Sequence, residues 1–131
     1  MIFLDKVKLL SGSTLAFVGD AVFGLLVREK LAEVNRPLGE MHKLSVEYVN
    51  ANSQAAAFEA IKEMLSEDEI TAFKHGRNLH TNNVPKNSTS ANYHTATGLE
   101  ALFGFLHLSG DEKRINELFG VIWGNHQKVN T

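Results

Sequence analysis

Two carboxylates stand where carboxylates are out of place. From Leu15 to Val27 every residue is apolar or glycine except Asp20, and in "YHTATGLEALFGFLHL" (93–108) the only acid is Glu100. At helical spacing Asp20 shares a stripe with Ala16, Phe23, Gly24 and Val27, and Glu100 with Ala96, Thr97, Phe103, Gly104 and His107. The Asp20 stripe offers no charge partner, and an uncompensated carboxylate in apolar surroundings costs several kcal/mol or takes up a proton. Each acid also has a glycine four residues later, Gly24 and Gly104. Glycine inside a helix costs about 1 kcal/mol against alanine, so its repeated use beside an acid predicts two helices that cross closely and bring Asp20 and Glu100 together. A divalent cation relieves the repulsion of such a pair. Magnesium suits it, because it takes one or two protein carboxylates and fills its other positions with water and phosphate oxygens. The structural alternative is that each acid meets a lysine, an arginine or a helix N-terminus elsewhere.

The elements that must position these acids read as helices throughout. Ser13 is the expected N-cap of a first helix that runs to about Ala32 and is apolar all round until Arg28, as for a helix packed on most sides. "NRPLGE" (35–40) is a turn, followed by helices over about Glu40 to Asn50 and Ser53 to Leu65. "SEDE" (66–69) has the capping-box form and starts a fourth helix. "GRNLHTNNVPKNSTSAN" (76–92) reads as a loop long enough to be functional. A fifth helix spans about Tyr93 to Leu108, and a sixth places Ile115, Leu118, Phe119, Ile122 and Trp123 on one face. No segment alternates as a strand. The expected fold is all-α, with about six helices in one domain over residues 1–131.

Composition narrows the chemistry. There are no cysteines, which removes disulfides and thiolate zinc sites and suits a cytoplasmic protein. The six histidines form no His-x-x-x-His or Glu-x-x-His pair, and no phosphate-cradling P-loop or Gly-x-Ser-x-Gly elbow is present. No apolar run is long enough to span a membrane. Net charge is −2, yet the window between Glu69 and Glu100 holds no acid. It carries Lys74, Arg77 and Lys86, hence +3, with His75, His80 and His94. The remaining −5 lies elsewhere, so this window is the place for a polyanion to approach.

"LAFVGDAVFGLLV" and "LEALFGFLHL" resemble the two signature helices of the ribonuclease III catalytic domain, in the same order. His42-Lys43, "YVNANSQA", "GRN" and "VPKN" resemble its Mini-III branch, which lacks the double-stranded-RNA-binding domain. The resemblance covers about Ser13 to Gly124. It implies a homodimer with one active site per subunit and magnesium-dependent hydrolysis of double-stranded RNA, leaving 5′-phosphates and short 3′ overhangs. It also implies maturation of large-subunit (23S) precursor ribosomal RNA, with specificity that can depend on a large-subunit ribosomal protein. Asp20 and Glu100 become the metal-binding catalytic acids. Two further positions that are acidic in the wider family are Ala16 and Thr97 here, as in the Mini-III branch. With half of the acidic cluster absent, more of the metal's coordination falls to water and RNA phosphate.

The same resemblance marks Arg77 and Lys86 as phosphate contacts. His42 and Lys43 are expected to begin a helix after a turn, where backbone N–H groups also meet phosphate. Asn78, Asn87 and Gln54 are candidate 2′-hydroxyl or loop-ordering contacts. Two other functions fit the same elements: a catalytically silent module of this fold that binds RNA or the ribosome, and a helical protein-interaction domain with structural acids. Loss of a metal-binding acid would mark the first, and Asp20 and Glu100 are both present; metal dependence at Asp20 separates the second from a nuclease.

Overall fold

The computed structural model describes residues 4–79, 84 and 86–129, and among these every regular element is a helix. In order, the elements are α1 (Leu4–Val7), α2 (Gly12–Leu31), α3 (Leu38–Val49), α4 (Ala51–Ile61) with a 3-10 turn at Lys62–Met64, α5 (Glu67–Arg77), α6 (Ser90–Leu108) and α7 (Glu112–Val129). The expected all-α class holds. The expected count of six is exceeded by the four-residue α1.

Helix starts follow the capping chemistry, with shifts of a few residues. Ser66 and Glu69 form the full capping box: the Glu69 N–H donates to Ser66 Oγ at 3.2 Å, and the Ser66 N–H donates to Glu69 Oε1 at 2.8 Å. The cap of α2 is Ser11 rather than Ser13, its Oγ accepting from the Thr14 N–H at 3.1 Å. Gly12 lets that first turn start early, because a side chain there would run into the His75 carbonyl. Thr89 caps α6, so this helix begins at Ser90, one turn before the expected start. Asn50 closes α3 and caps α4 with a single residue, its side chain accepting from the Ser53 N–H.

The central element is α6, not α2. It packs against α2, α4, α5 and α7, and Leu99, Ala101, Leu102 and Phe103 are fully buried. Helix α2 gives it one face only, built from Leu15, Gly19, Phe23, Val27 and Leu31. Phe23 sits edge-on to both Phe103 and Phe119, with ring centroids 5.5 and 5.8 Å apart. The opposite face of α2 is open in the single chain: Phe17 is 81% exposed, Leu25 57%, and Ala21 between them is exposed too. An apolar sequence all round a helix therefore records two different faces here, one in the core and one at the surface.

Helix α7 closes the bundle through Arg114. Its Nε and Nη2 donate to the two oxygens of Glu69 at 2.8 and 2.9 Å, and Nη2 also donates to the Met64 carbonyl at 2.7 Å. Glu69 is 5% exposed. Burial opposes its charge, but the Arg114 guanidinium and the Ser66 amide and hydroxyl outweigh that and hold the carboxyl below the usual glutamate range.

Candidate active site

The crossing of α2 and α6 sets the geometry. At Gly19 a side chain would overlap the Glu100 carbonyl, and at Gly104 it would overlap the Leu15 carbonyl. The two backbones thus touch at Leu15/Gly19 and Glu100/Gly104. Gly104 is the glycine the sequence pattern singled out; Gly24 is not its counterpart, since the nearest atom to a side chain there would be an Arg28 nitrogen at 3.4 Å. Gly19, next to Asp20 in sequence, does that work, because it lies on the face of α2 that also carries Leu15 and Phe23.

One residue beyond Gly19 the helix turns towards solvent, so Asp20 is exposed rather than buried. Glu100 is half-buried. The two acids share a cleft of about 460 Å³ lined by Ser13, Ala16, Phe17, Leu79, Tyr93, His94 and Thr97. Glu100 lies near enough to Asp20 and to the Gln54 side chain for both to act on its charge, while Gln54 Nε2 has no hydrogen-bond partner among the described residues. Burial, reinforced by the hydrogen bond and negative charge of Asp20, pushes the Glu100 carboxyl up to about 8, and the Gln54 amide works against that rise. Glu100 therefore keeps a proton at neutral pH unless a cation replaces it.

Among the described residues no lysine or arginine lines this cleft and neither acid forms a salt bridge. Nor do three or more His, Asp or Glu side chains gather into a metal-binding group among those residues. The donor set is two carboxylates. That suits magnesium, which binds through one or two carboxylates and retains waters, and it falls short of a dedicated protein cage. Ala16 and Thr97 line the same cleft; the Thr97 hydroxyl donates back to the Tyr93 carbonyl at 3.0 Å. The wall beside the acid pair is therefore uncharged on both flanks.

The other sequence-selected residues divide. Arg77 and Asn78 are exposed at the end of α5, immediately before Leu79 of the cleft wall; Arg77 Nε donates to Asn78 Oδ1 at 3.1 Å, with the guanidinium over the Phe73 ring. Lys86 and Asn87 are exposed, and the Asn87 carbonyl accepts from Asn52 Nδ2 at 3.1 Å. Asn92 Nδ2 donates to Asn52 Oδ1 at 3.1 Å, which ties the start of α4 to the start of α6. Residues 80–83 and 85, including His80 and the proline of "VPKN", lie outside the described residues.

Two expectations change. His42 and Lys43 do not begin α3, which starts at Leu38; they sit in its second turn, where backbone N–H groups bond within the helix. His42 lines a different pocket, with Arg28, Leu31, Leu38 and Met41, away from the acid pair. Gln54 is 3% exposed, so it offers nothing to the surface of an RNA strand; its side chain points inward to Glu100. Its burial follows from α4 laying Gln54, Ala55, Ala57 and Ile61 inward, largely against α6.

A model of the ribonuclease III domain matches residues 13–111, and the chain belongs to that family. Within it, curated relatives carry the name Mini-ribonuclease 3. One from Thermoanaerobacter sp. is 42% identical over 115 residues, covering 87% of this chain and 81% of its own. Another from Staphylococcus aureus is 34% identical over 121 residues, covering 90% of each. A crystal structure of a protein from Fusobacterium nucleatum superposes with a TM-score of 0.81 at 28% identity, covering 88% of this chain and 93% of that one. The resemblance to the Mini-III branch is thereby upheld, and the chain is an endoribonuclease of the ribonuclease III type.

Proposed function

We propose that the chain is a magnesium-dependent endoribonuclease that cleaves double-stranded RNA as a cytoplasmic homodimer and matures the ends of 23S precursor ribosomal RNA. The observation that carries this reading is the acid pair: Asp20 and Glu100 face one cleft that no lysine or arginine among the described residues lines. On this reading residues 1–131 are one catalytic domain. No helix among the described residues is long and apolar enough to cross a membrane.

The residues divide the work. Asp20 and Glu100 supply the oxygens that hold magnesium. Once bound, the ion supplies an acidified water at the scissile phosphate and charge stabilisation of the leaving 3′ oxygen. Ala16 and Thr97 add no charge, which leaves the rest of the coordination to water and phosphate oxygens. Thr97, Ser13, Tyr93 and His94 are the other polar side chains that line the cleft. Arg77 and Lys86 attract the phosphate backbone from the acid-free stretch between Glu69 and Glu100, and Asn78 and Asn87 follow them in sequence. The exposed Phe17–Ala21–Leu25 stripe supports the homodimer, since a second copy laid on it would remove that apolar surface from water. The resemblance to the Mini-III branch further implies a large-subunit ribosomal protein that shapes the precursor for cleavage.

The deciding experiment is cleavage of an end-labelled RNA duplex by wild type and Asp20→Asn, each with magnesium and with EDTA. Cleavage by wild type with magnesium alone is expected. Turnover by a folded Asp20→Asn chain would overturn the assignment of Asp20. Absence of cleavage in every lane, on precursor with its protein partner as well, would make the chain a silent RNA-binding module.

A further inference from the structure

Gln54 is anomalous in the core. It is 3% exposed, its Nε2 is buried with no hydrogen-bond partner among the described residues, and its side chain lies near enough to the Glu100 carboxyl to favour the charged form. A buried amide donor left unmade costs about 1–3 kcal/mol, and a methionine would fill the same volume without that cost. The surroundings keep the amide where it is. The N–H of Gln54 donates to the Asn50 carbonyl at 3.0 Å in the first turn of α4, and that turn is fastened by Asn50 to Ser53 and by Asn52 to Asn92 of α6.

We propose that Gln54 is a positioning residue, whose amide nitrogen donates to one Glu100 oxygen and aims the other into the cleft as a cation ligand. This rests on the reading of Asp20 and Glu100 as the metal-binding pair. The chemistry of the donor is the reason for glutamine. A lysine or arginine at this place would neutralise Glu100 and compete with a divalent cation, as Arg114 does at Glu69. An amide orients the carboxylate and brings no net charge. Outer partners of this kind typically change metal affinity or activity by about 10–100-fold when removed.

The test titrates manganese(II), as a spectroscopic substitute for magnesium, into the full chain and follows free ion by electron paramagnetic resonance. Wild type, Gln54→Met and Asp20→Asn are compared. The expected result is a site in wild type that Asp20→Asn abolishes and Gln54→Met weakens by about 10–100-fold, with metal-free duplex binding unchanged. In cleavage assays at saturating magnesium, kcat falls for Gln54→Met while KM for duplex stays put. Should Gln54→Met not fold, the side-chain amide resonances of Gln54 in wild type answer the question by themselves: magnesium must shift them, and must fail to do so in Asp20→Asn. Wild-type affinity in Gln54→Met, or resonances unmoved by bound magnesium, overturns the positioning role and leaves the acid pair intact. A wild type with no site that Asp20→Asn removes overturns both readings together.

Discussion

Glu69 and Glu100 are both drawn back from bulk water at seams of the same bundle, and they end in opposite electrostatic states. Glu69 meets a guanidinium at 2.8 and 2.9 Å and two groups of Ser66, and it is held ionised below the usual range. Glu100 meets another acid and a neutral amide, and is pushed up to about 8. The fold therefore has the means to satisfy an inward carboxylate, and uses them at one seam while leaving the other unanswered. An acid answered from within joins α5 to α7; an acid left facing a second acid depends on something from outside the chain.

The largest expected departure between the two comes from removing each charge in turn. Glu100→Gln should lower duplex cleavage by about 10²–10³-fold or more, the scale of losing one electrostatic stabiliser of a transition state, with the far-ultraviolet circular dichroism of wild type. Glu69→Gln should cleave normally per folded molecule. Equal loss of activity in both variants would erase the distinction. Next in size is Arg114→Ala, which strands Glu69 and should destabilise the fold by about 3–5 kcal/mol, read from urea unfolding midpoints. Its cleavage below the unfolding transition should stay near wild type.

A pH series sharpens the contrast by sign. Between the unfolded glutamate value of 4.5 and about 8, native Glu100 holds a proton that the unfolded chain has released. Its contribution to stability is complete below 4.5 and declines as pH rises through that window, at a slope of at most about 1.4 kcal/mol per pH unit. Glu69, depressed when folded, contributes above 4.5 and loses that contribution as pH falls through its folded value. Metal-free Glu100→Gln should thus be more stable than wild type at pH 8, and the two should converge near pH 4. Saturating magnesium should flatten the wild-type decline.

Smaller effects test the crossing and the approach of RNA. Gly19→Ala and Gly104→Ala force the α2 and α6 backbones apart and should cost about 1–3 kcal/mol, with cleavage lost alongside. Gly24→Ala should be neutral or stabilising by up to about 1 kcal/mol. Smallest is Arg77→Ala or Lys86→Ala, each expected to reduce the log–log salt slope of duplex binding by about one. An unchanged slope returns that residue to ordinary surface charge.

Much of this was legible in residue order. An acid alone in an apolar helix is visible without a partner helix, and two of them identified the cleft. The capping box at Ser66 is a local reaction of four residues, so it survives folding unchanged. What depended on the third dimension was less visible. Which glycine of α2 meets α6 depends on where the helices cross, and Gly19 and Gly24 are separated by a rotation that the apolar pattern of α2, uniform on both faces, does not fix. The same uniformity hid the exposed stripe at Phe17 and Leu25 and made Asp20 look buried. Gln54 carried a signal of another kind: a lone long amide in the alanine-rich stretch 51–57, facing the same way as Ala55, Ala57 and Ile61.

The backbone contact between Gly19 and Gly104 has a bearing on how such a cleft can vary. Its lining is made of side chains that reach the space independently, so Ala16 and Thr97 are free to differ in charge from one protein to another. Its gauge is set where two main chains touch, and no residue larger than glycine offers an intermediate separation. Sequence change can therefore retune the cleft gradually, through its walls, while the distance between the helices that bear its acids admits no gradual step.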